Sequence, residues 1–184
     1  MFSVRLNPLI IVLLSLLGLA GCDGVMDDIR PSGNDNRPAV EAGTEGTQVG
    51  QWSPDFSMPD TLGNSRGLYT ELAVADGVVL YFTMWCPICD YHMSLMRANV
   101  IPEFPNVSFF LVDYVTGSIA YSRAAQEAYG YTGIETLVDI DQAVLNLYQA
   151  SMGTTIVIDG SGIVRMNEDY KDGVKLEEIL RTLP

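Results

Sequence analysis

Cationic side chains are scarce in this chain: 10 Lys and Arg stand against 23 Asp and Glu, a formal net charge of -13 over 184 residues. Such a surface repels phosphate backbones and anionic lipid headgroups, so no nucleic-acid partner is expected. Histidine occurs once, at His92, which leaves a zinc site of the usual four-ligand type two ligands short. Cysteine occurs three times, an awkward odd number for an exported protein. No internal repeat is evident. The length suffices for one domain of ordinary size with a tail, but not for two independent cores. The hydrophobic fraction of 48% is inflated by the first twenty residues.

Those residues read as a targeting segment. Arg5 supplies a positive flank, and Leu9 to Ala20 is an apolar run broken only by Ser15 and Gly18, too short to span a bilayer comfortably. The run ends Leu19-Ala20-Gly21-Cys22, which resembles the bacterial lipobox, in which the cysteine is lipidated and becomes the first residue of the processed protein. That resemblance implies a signal peptide over 1–21, a lipid anchor on Cys22 and an extracytoplasmic, membrane-tethered location. Asp23 resembles an inner-membrane retention signal of some bacteria. Loss of Arg5 with the signal takes the charge from -13 to -14. With Cys22 consumed by lipid, the odd cysteine count becomes one pair, Cys86 and Cys89.

Residues 22–48 are rich in Asp, Gly, Pro, Asn, Glu and Thr. They offer too little apolar surface to offset the entropy of ordering, and so read as a flexible tether of roughly 25–30 Å. The folded domain is then expected over 49–184. Residues 50–64 suggest a strand or hairpin packed on the core, and 67–75 a short helix with Leu68 and Leu72 on one face. The runs 77–83 (GVVLYFT) and 107–114 (VSFFLVDY) predict strands buried on both faces. Helices are expected over 87–99, 118–129, 142–148 and 174–183. A further strand is expected over 136–140, and a hairpin over 154–159 and 163–167 joined by Gly160-Ser161-Gly162. This order implies an α/β fold with a central mixed sheet flanked by helices.

The chemistry converges on Trp85-Cys86-Pro87-Ile88-Cys89, a Cys-x-x-Cys that leaves a buried strand and opens a helix. Unpaired amides and the dipole of a first helical turn stabilise an anion, and the thiolate is the nucleophile. Cys86 is therefore expected to have the lower pKa and to attack a target disulfide. Cys89, nearly one turn on, resolves the mixed disulfide. Pro87 suits the first helical position. Trp85 is expected to shield the site and offer a flat apolar surface. An inert staple is the bland reading, but a loop this short constrains the unfolded chain little. The chemistry needs no cofactor or metal.

WCPIC after a buried strand resembles the thioredoxin superfamily. PDFSMPDTLGN before it and TTIVIDGSGIV after it resemble the redoxin branch, which includes membrane-tethered thiol–disulfide oxidoreductases and peroxiredoxins. The resemblance covers about residues 50–184. It implies a thioredoxin-like fold and exchange with protein thiols or disulfides of exported proteins, for example apocytochrome cysteines. A membrane electron-transfer partner would restore the reduced state. It also implies substrate contacts at Trp85, Pro87, Met152, Gly153 and Thr154. Two departures stand out. The family's cis-proline position holds Gly153, so the Met152–Gly153 bond is expected to be trans. The acid that typical thioredoxins bury beneath the cysteines corresponds by spacing to Leu80, with Asp90 a possible substitute.

Two other readings remain open. A thiol peroxidase would use Thr83 beside Cys86, but its proline place is Val79 and its arginine has no counterpart at Gly153. A copper carrier would use both thiolates with His92 as a third ligand.

Overall fold

Residues 77–83 become the middle of the sheet because nothing in the run needs water: every residue of Gly77–Thr83 is buried. In the computed structural model, which describes residues 40–184, this strand (β3) follows a two-stranded hairpin, β1 (Ser57–Pro59) and β2 (Ser65–Gly67), and a short helix α1 (Leu68–Leu72). It leads into α2 (Pro87–Leu95), whose last turn widens into a π turn over Met96–Val100 before a single 3-10 turn, Ile101–Glu103. Then come β4 (Val107–Asp113), α3 (Ile119–Ala128), β5 (Glu135–Val138), α4 (Ala143–Tyr148), β6 (Thr154–Asp159), β7 (Val164–Asp169) and α5 (Val174–Leu180).

The main sheet runs β5-β4-β3-β6-β7. β3, β4 and β5 are parallel, β6 is antiparallel to β3, and β7 is antiparallel to β6. The expected mixed sheet flanked by helices is thus the observed one. Side-chain alternation divides β3 between two cores. Val79 and Tyr81 pack with Cys89, Met93 and Met96 of the α2 arm and with Leu176 and Leu180 of α5. Val78, Leu80 and Phe82 pack on the other face with Leu68 and Leu72 of α1 and Val144 and Tyr148 of α4.

Short polar side chains close the turns. Asp60 accepts from the Leu62 and Asn64 amides and from Asn64 Nδ2 in the β1–β2 hairpin. Asp159 accepts from the Ser161 and Ile163 amides in the glycine-flanked turn between β6 and β7. Composition places residues 43–48 within the tether, yet they are hydrogen-bonded to the domain. The Gly43 amide donates to Gly50 O (3.1 Å), Gly46 to Trp52 O (2.8 Å), and Asn167 Nδ2 to Thr47 O (3.0 Å). The expected signal segment 1–21, Cys22 and the tether up to residue 39 lie outside the described residues. Among the described residues no helix is long and apolar enough to cross a membrane.

Candidate active site

At the end of β3 the chain must reverse to start α2, and it does so through Trp85, which takes a left-handed backbone (φ +58°). A non-glycine residue in that region costs about 1–2 kcal/mol. Three contacts hold it there. The Trp85 amide donates to Thr83 Oγ1 at 3.1 Å, its indole Nε1 donates to Asp113 Oδ2 at 2.9 Å, and its ring lies against Tyr129 (centroids 5.7 Å apart). Asp113, the last residue of β4, is fully buried and also accepts from the Val115 and Thr116 amides and from Thr116 Oγ1.

The expectation that Trp85 offers a surface to partners is corrected by this geometry. The indole is turned inward to reach Asp113 and retains only 7% exposure. Exposed apolar side chains around the motif are instead Met84, Ile88 and Tyr91. Pro87 stands in the first turn of α2, as anticipated, and is exposed.

Cys86 caps α2, its sulfur accepting from the Cys89 amide at 3.2 Å. The two sulfurs lie 2.7 Å apart, beyond the ~2.05 Å of a disulfide bond but in direct contact. Cys86 is partly exposed and Cys89 is fully buried, so Cys86 is the sulfur a partner can reach.

The thiols titrate as a pair, because charge on one sulfur is met by the proton on the other. Burial pushes the Cys86 thiol up, and the hydrogen bond with Cys89 adds to this against the opposing amides of Cys89 and Ile88. Burial also acts to raise Cys89, but hydrogen bonds with Cys86, with the Met84 and Cys86 backbone and with the Thr83 hydroxyl outweigh it and hold that thiol below its ordinary value. The strongest side-chain contact of each thiol is the other, so the pair shares one set of hydrogen bonds: the Cys89 and Ile88 amides on Cys86, and the Met84 and Cys86 backbone with the Thr83 hydroxyl on Cys89.

Leu80, the position expected by spacing to replace a buried acid, faces the opposite core. Tyr81 shares the core of Cys89. Burial first, then the two thiols' charge and a hydrogen bond with Cys89, push the Tyr81 hydroxyl far above the ordinary phenol range. The same hydroxyl lies 3.0 Å from His92 Nδ1. Asp90 is engaged elsewhere: Tyr131 donates to its carboxylate at 2.7 Å and its carbonyl at 2.9 Å.

Met152 and Gly153 lead into β6, whose first residue is Thr154. Gly153 has φ +85°, all peptide bonds among the described residues are trans, and the Gly153 amide and carbonyl pair with Phe82 O and the Tyr170 amide, both at 2.9 Å. Gly153 and Thr154 are buried, leaving Met152 as the partly exposed member. A Cβ at Gly153 would meet the His92 ring at 3.8 Å and would have no sulfur within 4 Å. His92 Nδ1 faces Tyr81 rather than the cysteines, and among the described residues no group of three His, Cys, Asp or Glu side chains is placed to hold a metal ion. Thr83 is buried at the strand end, its hydroxyl shared between the Trp85 amide and Cys89.

A mixed sheet with β3 leading into a helix through a Cys-x-x-Cys turn defines a thioredoxin-like protein. Residues 49–167 match the AhpC/TSA family, and the chain belongs to it. No curated protein matches the sequence. Among solved structures, a Bacteroides thetaiotaomicron protein with the provisional name protein disulfide isomerase superposes with a TM-score of 0.64 at 18% identity, over 74% of this chain and 90% of its own. Peroxidoxin BcpB of Mycobacterium tuberculosis gives 0.58 at 23%, over 75% and 99%. A secreted disulfide oxidoreductase of M. tuberculosis, homologous to E. coli DsbE, gives 0.53 at 18%, over 70% and 96%. At these identities the likeness establishes the fold.

Removing the acceptor beneath Trp85 tests this construction. Asp113→Ala leaves the buried indole N–H without a partner and is expected to lower stability by about 1–3 kcal/mol in urea unfolding, with a red-shifted tryptophan emission. Asp113→Asn, which keeps an acceptor oxygen, is expected to lose less.

Proposed function

We propose that the protein is an extracytoplasmic thiol–disulfide oxidoreductase that reduces disulfides of exported proteins, held at the membrane by lipid on Cys22. The observation that carries this reading is a pair of touching sulfurs at a helix mouth, with Cys86 open to a partner and Cys89 sealed beneath it. In the reaction, the partly exposed Cys86 gives its proton to solvent and attacks, as its thiolate, one sulfur of the client disulfide. The first client thiolate leaves and takes a proton. Cys89 then loses its proton and attacks Cys86 Sγ, forming the Cys86–Cys89 disulfide and expelling the second client thiol. Two protein thiols are oxidised and one client disulfide becomes two thiols.

The reducing direction is supported by the charge around the attacking sulfur. A strong oxidant needs a well-stabilised thiolate at its attacking cysteine. Here burial pushes that thiol up, and the intervening Pro87-Ile88 brings no positive charge. Met84, Ile88 and Tyr91 supply apolar surface for an unfolded client segment. A membrane electron donor would regenerate the dithiol.

The peroxidase reading draws support from the family and from the likeness to BcpB. Against it, all five arginines among the described residues are engaged away from the thiols. Arg66 pairs with Glu135, Arg123 with Glu127, Arg165 with Asp159 and Arg181 with Glu177, while Arg97 lies over Tyr131.

Two experiments test the proposal. Cys89→Ser is expected to accumulate mixed disulfides with exported proteins, seen as thiol-sensitive high-mass bands, and Cys86→Ser to accumulate none. Equal trapping by both variants, or consumption of peroxide without any trapping, would reject the reductase assignment. In a bacterial host, labelled palmitate is expected to enter the full chain and its Cys86→Ser variant but not Cys22→Ala, which should leave the membrane fraction. Label retained in Cys22→Ala would rule out Cys22 as the anchor.

A further inference from the structure

Methionine is ordinarily a core residue, and four of the six among the described residues keep to that rule: Met58, Met93, Met96 and Met166 are each at most 3% exposed. The two that water reaches are Met84, 44% exposed, and the partly exposed Met152. Both stand at the end of the sheet that carries the cysteines. Met84 follows the last residue of β3 and precedes Trp85. Met152 comes two residues before β6, and it packs against the same core cluster as Cys86. The antiparallel pairing of β3 with β6 brings the two segments together. Its last rung is Tyr81–Thr155, and beyond it the Gly153 amide still reaches Phe82 O at 2.9 Å. Met84 and Met152 thus emerge from neighbouring strands at the end that presents Cys86.

An unbranched thioether adapts to apolar partners of different shape, which suits a face that meets unfolded clients, but it is also oxidisable. We propose that Met84 and Met152 are oxidation sites through which a hydroperoxide closes the exchange face to protein clients. This rests on the thiol–disulfide reading above. At each residue the sulfur takes one oxygen from the hydroperoxide. An S–O bond forms, the O–O bond breaks, and the peroxide proton moves to the oxygen that leaves. The thioether is oxidised by two electrons to a sulfoxide, and the hydroperoxide is reduced to water or an alcohol. While Cys86 is a thiol it competes for the oxidant. Once the Cys86–Cys89 disulfide has formed, the two thioethers are the oxidisable sulfurs left at this face. Trp85, the other oxidisable side chain of the turn, is shielded by its burial. A sulfoxide is polar and chiral where the thioether was apolar and pliable, so an apolar client segment covering it leaves its oxygen without a partner. The change is reversible, because dedicated reductases act on each sulfoxide epimer.

The test treats the full chain in its disulfide form with hydrogen peroxide and maps added oxygen by peptide mass spectrometry. Met84 and Met152 are expected to gain oxygen well before Met58, Met93, Met96 and Met166. A dithiol then restores the cysteines and is removed. Reduction of an unfolded, disulfide-linked protein is expected to fall about tenfold, the loss from one polar group left unpaired beneath the client. Reduction of the small disulfide dithiobis(nitrobenzoate), which covers little surface, is expected to fall far less. Treatment with the two methionine sulfoxide reductases should restore the protein rate, a recovery that general damage would not show. In Met84→Leu/Met152→Leu, with its own untreated rate as the reference, peroxide should cost little. Should that double variant fail to fold, the rescue by the reductases carries the test. Oxygen spread evenly over all six methionines, or an oxidised wild type that reduces the protein at its untreated rate, would overturn the proposal and leave the exchange reading standing. A double variant that loses as much as wild type would do the same. An untreated wild type that reduces neither disulfide would overturn both.

Discussion

The arrangement depends on a sulfur that water cannot reach. Cys89 lies buried in the core shared by β3, α2 and α5, and Cys86 rests on it at the surface. Exposure is thereby divided between the two: one sulfur can be reached by a partner, and the other is sealed beneath it. With the sulfurs in contact, the two thiols titrate as a pair rather than one by one.

Holding the sulfurs in contact falls largely to the turn before them. A left-handed Trp85 reverses the chain, and the strain is offset by contacts only this fold supplies: Thr83 at the end of β3, the buried Asp113 at the end of the adjacent parallel strand, and Tyr129 just beyond α3. Parallel pairing sets Asp113 directly opposite Thr83. Sheet register thus reaches the active turn through one carboxylate.

The sheet and its helices are legible in the sequence because β3, β4 and β6 are near-continuous apolar runs and the turns between elements carry Gly and Asp. Cys86 and Cys89 are legible as a pair for the same reason, standing where a strand becomes a helix. Less could be read around them. Trp85 invites an outward reading because large aromatics before a reactive cysteine suggest a docking face; its orientation depends on Asp113, 28 residues away, whose partnership no local pattern signals. Spacing points to Leu80 beneath the cysteines, yet side chains alternate along a strand, and a shift of one residue places Tyr81 there instead. Helix-mouth electrostatics draws attention to Cys86 alone; the donors to Cys89 from the Met84 backbone and the Thr83 hydroxyl are brought round only by the folded turn. His92 is recognisable as the only histidine, but its hydroxyl partner on another element is not.

Membership of the AhpC/TSA family joins peroxidases and disulfide exchangers on one scaffold, so the site itself must separate them. A buried second thiol in contact with the first, and no guanidinium beside them among the described residues, suit exchange. The most direct measurement equilibrates the reduced protein against graded thiol–disulfide buffers and counts the Cys86–Cys89 disulfide by mass spectrometry. A reversible two-electron transition is expected at a potential well below the about -120 mV of the strongest protein oxidants. A pair that never interconverts, or a transition near that value, would contradict it.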